Sequence, residues 1–117
     1  MNPLFRKMTL NHISIIVSSE IGVKFYKDLG FTEISRTARL SCHDELIYLS
    51  NGELVLELYK DATHPKRVTN PEAYGLRHLC FTVDHIEGEC KTDEKGRFAF
   101  IYDPDGLPIE LREQSYR

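Results

Sequence analysis

Two histidines and two glutamates occupy matched places in the two halves of this chain. His12-Ile13-Ser14-Ile15-Ile16-Val17 is echoed by His78-Leu79-Cys80-Phe81-Thr82-Val83, in each case a histidine followed by large apolar residues at every second position. Leu56-Glu57-Leu58 is echoed by Ile109-Glu110-Leu111. Each half thus opens on a His strand and closes on a Glu strand. Side chains alternate between the faces of a strand, so the apolar neighbours commit one face to a core and leave His12, Glu57, His78 and Glu110 on the other. A single strand histidine is more often a satisfied structural residue, and a single glutamate is more often merely solvated. Four such residues placed equivalently by a repeat point to a shared site. If the halves pack about a pseudo-two-fold axis, the four side chains converge. Two imidazole nitrogens and two carboxylates suit Zn²⁺, Ni²⁺, Co²⁺, Fe²⁺ or Mn²⁺ better than Ca²⁺ or Mg²⁺, which prefer all-oxygen shells.

Positioning these residues falls to a first half, 1–60, that reads β-α-β-β-β. A strand at 11–17 is followed by Ser18 and Ser19, either able to cap a helix. Ile21, Phe25 and Leu29 then recur every fourth residue, which predicts a helix with that stripe inward, ended by Gly30. Strands follow at 31–38 and 44–50, and Asn51-Gly52 predicts a tight hairpin into a strand at 53–60. The stretch 61–75, with Pro65, Asn70 and Pro71 and no periodicity, reads as a linker loop. The second half, 76–117, opens with a strand at 77–83. Residues 84–90 have room for a turn or two of helix, with Gly88 inside it. A strand at 97–102, turn chemistry at Asp103-Pro104-Asp105-Gly106 and a last strand at 107–112 complete the chain. His and Glu lie 45 residues apart in the first half (12 and 57) and 32 in the second (78 and 110). The shortage falls where a full helix and one strand, the edge one, would lie. The expected fold is α+β, a duplicated module with a truncated second copy.

Composition narrows the function classes. A chain of 117 residues with 41% hydrophobic residues and six each of Phe and Tyr can bury the core of one domain. Fifteen basic against eighteen acidic side chains give a net charge of −3, which argues against a nucleic-acid partner living on phosphate neutralisation. No apolar run approaches the ~20 residues of a membrane span. Residues 1–7 are basic, but the apolar run at 13–17 is too short to complete a signal peptide. Cys42, Cys80 and Cys90 are odd in number and lack CxxC spacing, so neither a disulfide framework nor a zinc ribbon is expected. The expectation is a soluble, cytoplasmic protein.

The ordered set His12-Ile-Ser-Ile-Ile-Val, Phe25-Tyr26…Leu29-Gly30-Phe31, Leu56-Glu57-Leu58, Gly75-Leu76-Arg77-His78 and Asp103-Pro104-Asp105-Gly106…Glu110-Leu111 resembles the vicinal oxygen chelate superfamily, and within it the glyoxalase I-like (lactoylglutathione lyase-like) branch. That resemblance covers nearly the whole chain. It implies paired βαβββ modules, the glyoxalase/bleomycin resistance/dioxygenase-like fold, here with a shortened second module. It also implies one divalent metal (Ni, Zn or Co, with Fe or Mn as alternatives) held by His12, Glu57, His78 and Glu110, often at a homodimer interface. By the same resemblance the metal would bind two adjacent oxygens of a small substrate, and Glu110 would move a carbon-bound proton through an enediolate-type intermediate. Glutathione-using members carry an Arg four residues after the first His and an Asn four residues after the first Glu. Here those places hold Ile16 and Asp61, which removes the grip on a glutathione carboxylate.

Two functions follow as expectations. One is a glyoxalase-type lyase or isomerase, favoured by retention of all four ligands. The other is a module that binds a small molecule without turning it over, favoured by the shortened second half. A ring-cleaving dioxygenase fits less well, since two His and one Glu would leave one of the four redundant. Cys80 shares the face of His78 and reads as a small residue making room. His43, His64 and His85 have no counterpart in the repeat and read as surface residues. Lys66 and Arg67 in the linker, and Tyr48, Tyr59 and Tyr102 on strands, are weaker candidates for contact with a substrate.

Overall fold

A computed structural model describes Leu4 and residues 6–114; part of the basic stretch 1–7 lies outside the described residues. The chain divides into two compact units, Met1–His64 and Pro65–Arg117. The first contains β1 (Ile13–Val17), α1 (Glu20–Asp28), β2 (Thr32–Arg39), β3 (Asp44–Ser50) and β4 (Val55–Lys60). Its sheet runs β1-β4-β3-β2, with β1 parallel to β4 and the other pairs antiparallel. Alternation works as expected here. Ile15 and Val17 of β1, Ile47 and Leu49 of β3, and Leu56 and Leu58 of β4 are all buried, and the register sets Ile15 beside Leu58 and Leu58 beside Ile47.

The helix turns a different stripe inward from the one its apolar spacing predicts. Its buried residues are Gly22, Val23 and Tyr26, whereas Ile21 is 68% exposed. Ser19 is the cap, its hydroxyl accepting the Ile21 N–H at 3.2 Å. Gly22 explains the rotation. A Cβ added there would meet the Val17 Cβ at 2.8 Å, so the missing side chain is what lets the helix close on β1. Gly22→Ala is therefore expected to destabilise the protein. Alanine gains about 1 kcal/mol of helix propensity, but overpacking against a rigid strand costs about 1–3 kcal/mol, so the urea midpoint should fall. A midpoint at or above wild type would show that the helix can move away freely. Outside the apolar contact, Arg36 of β2 reaches Glu20, Glu33 and Glu45, and Lys60 of β4 reaches Glu20 and Glu45. These ion pairs tie the helix start to the sheet.

The turn after β3 is also not the two-residue hairpin that Asn51-Gly52 predicts. The Asn51 side-chain oxygen accepts the N–H groups of Glu53 and Leu54, and the Asn51 N–H donates to the Leu54 carbonyl. The side chain thus organises a longer loop, and β4 starts at Val55.

The second unit contains β5 (Leu79–Val83), β6 (Lys91–Asp93), β7 (Gly96–Tyr102) and β8 (Pro108–Glu113). Its sheet runs β5-β8-β7-β6, again with the first and last strands parallel. This is the connectivity of the first unit without its helix, so the paired βαβββ modules and the clipped second copy are both present. Two details differ from expectation. Residues 84–90 form no helix at all, and the strand expected to be missing survives as the three residues of β6 at the sheet edge. Lys91-Thr92-Asp93 is too short and polar to show periodicity, but its pairing with β7 is completed by Asp93, whose carboxylate accepts the Lys95 N–H in the turn. Without the helix the apolar cover is thin. Among the described residues, the buried hydrophobic side chains of this unit are Leu79, Ile86 and Ile109. No helix among the described residues is long and apolar enough to cross a membrane.

Candidate metal centre

In the first unit the face opposite the helix carries a rung of three side chains. Register places Ser14 of β1 and Tyr48 of β3 on either side of Glu57. The Ser14 hydroxyl donates to Glu57 Oε1 at 2.5 Å, and the Tyr48 hydroxyl donates to Glu57 Oε2. These hydroxyls, helped by Tyr59, hold the buried Glu57 carboxyl below its ordinary range, against the opposing effect of burial. The same contact pushes the Tyr48 phenol up. Glu57 is thus a fixed, ionised carboxylate.

His12, just before β1, completes this half. Its Nε2 lies 3.4 Å from Glu57 Oε1, and its Nδ1 lies 2.7 Å from the Asn11 side-chain oxygen. That oxygen only accepts, so Nδ1 carries a proton and Nε2 is the ring nitrogen turned toward the carboxylate. In the neutral ring, Nε2 and the carboxylate are two electron-pair donors facing each other at 3.4 Å. This is a place for a cation.

In the second unit the equivalent rung is Cys80–Glu110–Phe100, and it has lost both strong hydroxyls. Glu110 is held instead by an imidazole and a guanidinium. His78 Nε2 lies 3.0 Å from Oε1, and Arg112 Nε forms an ion pair with Oε2 at 2.7 Å. Arg112 also grips Asp93 of β6 with two bonds of 3.1 and 2.7 Å, while its guanidinium lies over the Phe98 ring. Asp93 is lowered to about 2 by Arg112 and the Lys95 N–H. The short edge strand therefore serves to anchor the arginine that orients Glu110. His78 differs from His12 in its proton. Its Nδ1 faces Arg77 Nη1 at 3.2 Å, which only donates, so the proton sits on Nε2 and bridges to Glu110.

Each unit brings together one predicted His and one predicted Glu. Among the described residues, no three His, Cys, Asp or Glu side chains gather into a single metal-holding cluster, so each pair by itself supplies two donors. Each pair, an imidazole beside a carboxylate with oriented partners, offers donors of the kind that divalent transition ions take.

The weaker candidates separate clearly. Cys80 faces the site, but burial and the Glu110 carboxylate push its thiol up, so it stays a neutral thiol. His43, His64 and His85 lie on the surface, with His64 near Asp61 and His85 near Glu113. Tyr48 contacts Glu57 directly, and Tyr102 is exposed beside a cavity. The partners Asn11, Ser14, Asp93 and Arg112 are not evident from the repeat. Ser14 and Arg112 carried one signal, since each stands two residues from a site residue and so shares its face.

The family model of the Glyoxalase/Bleomycin resistance protein/Dioxygenase superfamily matches residues 9–94. The protein YaeR of Escherichia coli is 41% identical, the match covering 90% of this chain and 95% of that one. The crystal structure of a glyoxalase family protein from Enterococcus faecalis is 33% identical with a TM-score of 0.81, covering 90% of this chain and 97% of that one. A mutant of the fosfomycin resistance protein FosX from Listeria monocytogenes, complexed with Mn(II) and 1S,2S-dihydroxypropylphosphonic acid, shares the fold at 18% identity. Its TM-score is 0.68, with 92% of this chain and 93% of that one covered.

Proposed function

The chain belongs to the glyoxalase/bleomycin resistance protein/dioxygenase superfamily, and from that premise we propose a glyoxalase I-like, metal-dependent lyase or isomerase acting on a small oxygen-chelating substrate. One observation carries the reading: His12 Nε2 and Glu57 Oε1 face each other at 3.4 Å with the ring proton turned away toward Asn11. His12, Glu57, His78 and Glu110 are the ligands, for Ni²⁺, Zn²⁺ or Co²⁺, with Fe²⁺ or Mn²⁺ as alternatives. The bound ion supplies Lewis acidity to two adjacent substrate oxygens. Glu57, locked by Ser14 and Tyr48, is the steady ligand. Glu110 is the base that takes a carbon-bound proton and returns it to the neighbouring carbon, with Arg112 holding its second oxygen in place. Each unit provides two of the four ligands, and β1 and β5 are sheet edges, so a homodimer is the assembly we propose.

Glutathione adducts are poor candidates for the substrate. Ile16 is 52% exposed on the face of His12 and offers no charge. Asp61 accepts the Thr63 N–H and hydroxyl, which lower its carboxyl and keep it anionic. An anion there repels a substrate carboxylate. The test is to incubate the purified protein with Ni²⁺, Co²⁺, Zn²⁺ or Mn²⁺, measure bound metal by elemental analysis, and assay the methylglyoxal–glutathione adduct. Stoichiometric metal is expected, with kcat/KM below about 10⁴ M⁻¹s⁻¹, the low end for ordinary enzymes. Protein that stays metal-free rejects the ligand set, and efficient turnover rejects the role given to Ile16 and Asp61. A second reading, a binding module without turnover, is favoured by the helix missing at 84–90 and by the proton bridging His78 and Glu110.

A further inference from the structure

The second unit holds a cavity of about 450 Å³ between the 67–77 loop and the sheet face that carries Glu110, with Arg67, Arg77, Glu72, Phe100, Tyr102 and Pro108 in its walls. Its floor continues the candidate site. Phe100 pairs with Glu110 in the β7–β8 ladder, and Tyr102 pairs with Pro108 one same-face rung further on. Phe100 also meets the His78 ring edge-on, with centroids 5.1 Å apart. One rung is two residues, roughly 7 Å along the strand.

The two arginines in the walls are not equivalent. Arg77 is neutralised by Glu72, with contacts of 2.6 and 3.2 Å. Arg67 Nη2 donates to the Leu76 and Arg77 carbonyls at 3.2 and 2.8 Å. Those bonds fix the guanidinium on the loop and use only one of its three nitrogens. Among the described residues, no carboxylate pairs with Arg67, and its Nε and Nη1 carry donors without a partner. The net charge of the cavity wall is therefore the single positive charge of Arg67, set above an apolar floor of two aromatic rings and a proline. A carboxylate accepts a charge-assisted bond from either of these N–H groups and neutralises the guanidinium.

We propose that this cavity is an anion-recognition subsite for a small organic monocarboxylate with an apolar body, in which Arg67 takes the carboxylate and Phe100, Tyr102 and Pro108 take the body. Combined with the function proposed above, on which this extension rests, the substrate would be a small acid. Its oxygen-chelating end would sit at His78 and Glu110, with its carboxylate about one strand rung away. The loop that separates the two halves would then select the substrate, taking over the task that Ile16 and Asp61 cannot perform.

The test separates this subsite from the metal reading by working without metal. The full chain, kept in EDTA, is titrated with benzoate and with its uncharged analogue benzamide while backbone amide shifts are followed by NMR. Benzoate is expected to shift amides of the 67–77 loop and of Tyr102, and to bind at least about tenfold more tightly than benzamide. Arg67→Gln should lose that preference while still binding benzamide as wild type does, and Arg67→Lys should retain part of it. The benzoate-to-benzamide comparison on wild type holds even if a variant fails to fold. Equal affinity for the two compounds, no binding of benzoate, or an undiminished preference in Arg67→Gln would overturn the proposal. Metal-free protein in the elemental analysis would sink the catalytic reading and leave this result standing.

Discussion

His78→Ala is expected to lower divalent-metal affinity by more than about 100-fold, measured by calorimetric titration with Ni²⁺ or Co²⁺. Partners one shell further out already cost about 10–100-fold when removed, and a lost ligand leaves a set of four with little redundancy. The neighbouring contacts sharpen the expectation. His78 Nε2 lies 3.0 Å from Glu110 Oε1, so the substitution removes a donor and frees a carboxylate that Arg112 then claims alone. Asn11→Ala gives the graded control. It should weaken binding less, within the outer-shell range, because it only releases the tautomer of His12. His85→Ala, on a surface imidazole with no part in either pair, should change nothing. Unaltered affinity in His78→Ala would remove His78 from the ligand set, and with it the case for a four-donor centre.

Leu58→Ala is expected to destabilise the fold by about 2–5 kcal/mol, read from the urea midpoint. That is the usual range for deleting a fully buried leucine side chain, and a large share of the roughly 5–15 kcal/mol that stabilises a domain. Leu58 has no exposed surface and lies in register between Ile15 and Ile47, both buried. With Leu56, which is equally buried, it also commits its face of β4 to the core and so turns Glu57 to the other face. Loss of the side chain should therefore loosen Glu57 as well as the core. Ile34→Ala is the contrast, because Ile34 is 61% exposed and surface changes usually stay within about 0.5 kcal/mol. A cost under about 1 kcal/mol for Leu58→Ala would mean that the faces of β4 have been assigned the wrong way round.

Much of the fold is legible in the chain because strand alternation has a period of two and needs no distant information. Ile15 and Val17, Leu56 and Leu58, and the His–Glu face opposite them follow from neighbours one or two positions away. The duplicated His and Glu strands also settle which residues share a face, and the parallel pairing of β1 with β4 and of β5 with β8 brings each His beside its Glu. The helix is less legible. Ile21, Phe25 and Leu29 form the apolar stripe, yet the buried stripe is Gly22, Val23 and Tyr26, because close approach to Val17 outweighs the hydrophobicity of an exposed isoleucine.

What the sequence determines by itself, then, is everything that depends on local periodicity and on the repeat: the strands, their faces and the four candidate donors. What only the tertiary structure decides is how those donors are held. Ser14 and Tyr48 reach Glu57 from two neighbouring strands, and Asp93 reaches Arg112 from a three-residue edge strand across β7. The proton on His12 is set by Asn11 and the proton on His78 by Arg77. The strand-to-strand contacts join residues far apart in the chain, so no local pattern encodes them. The two histidine contacts join neighbours, but which nitrogen meets which donor or acceptor depends on side-chain torsions that only packing selects.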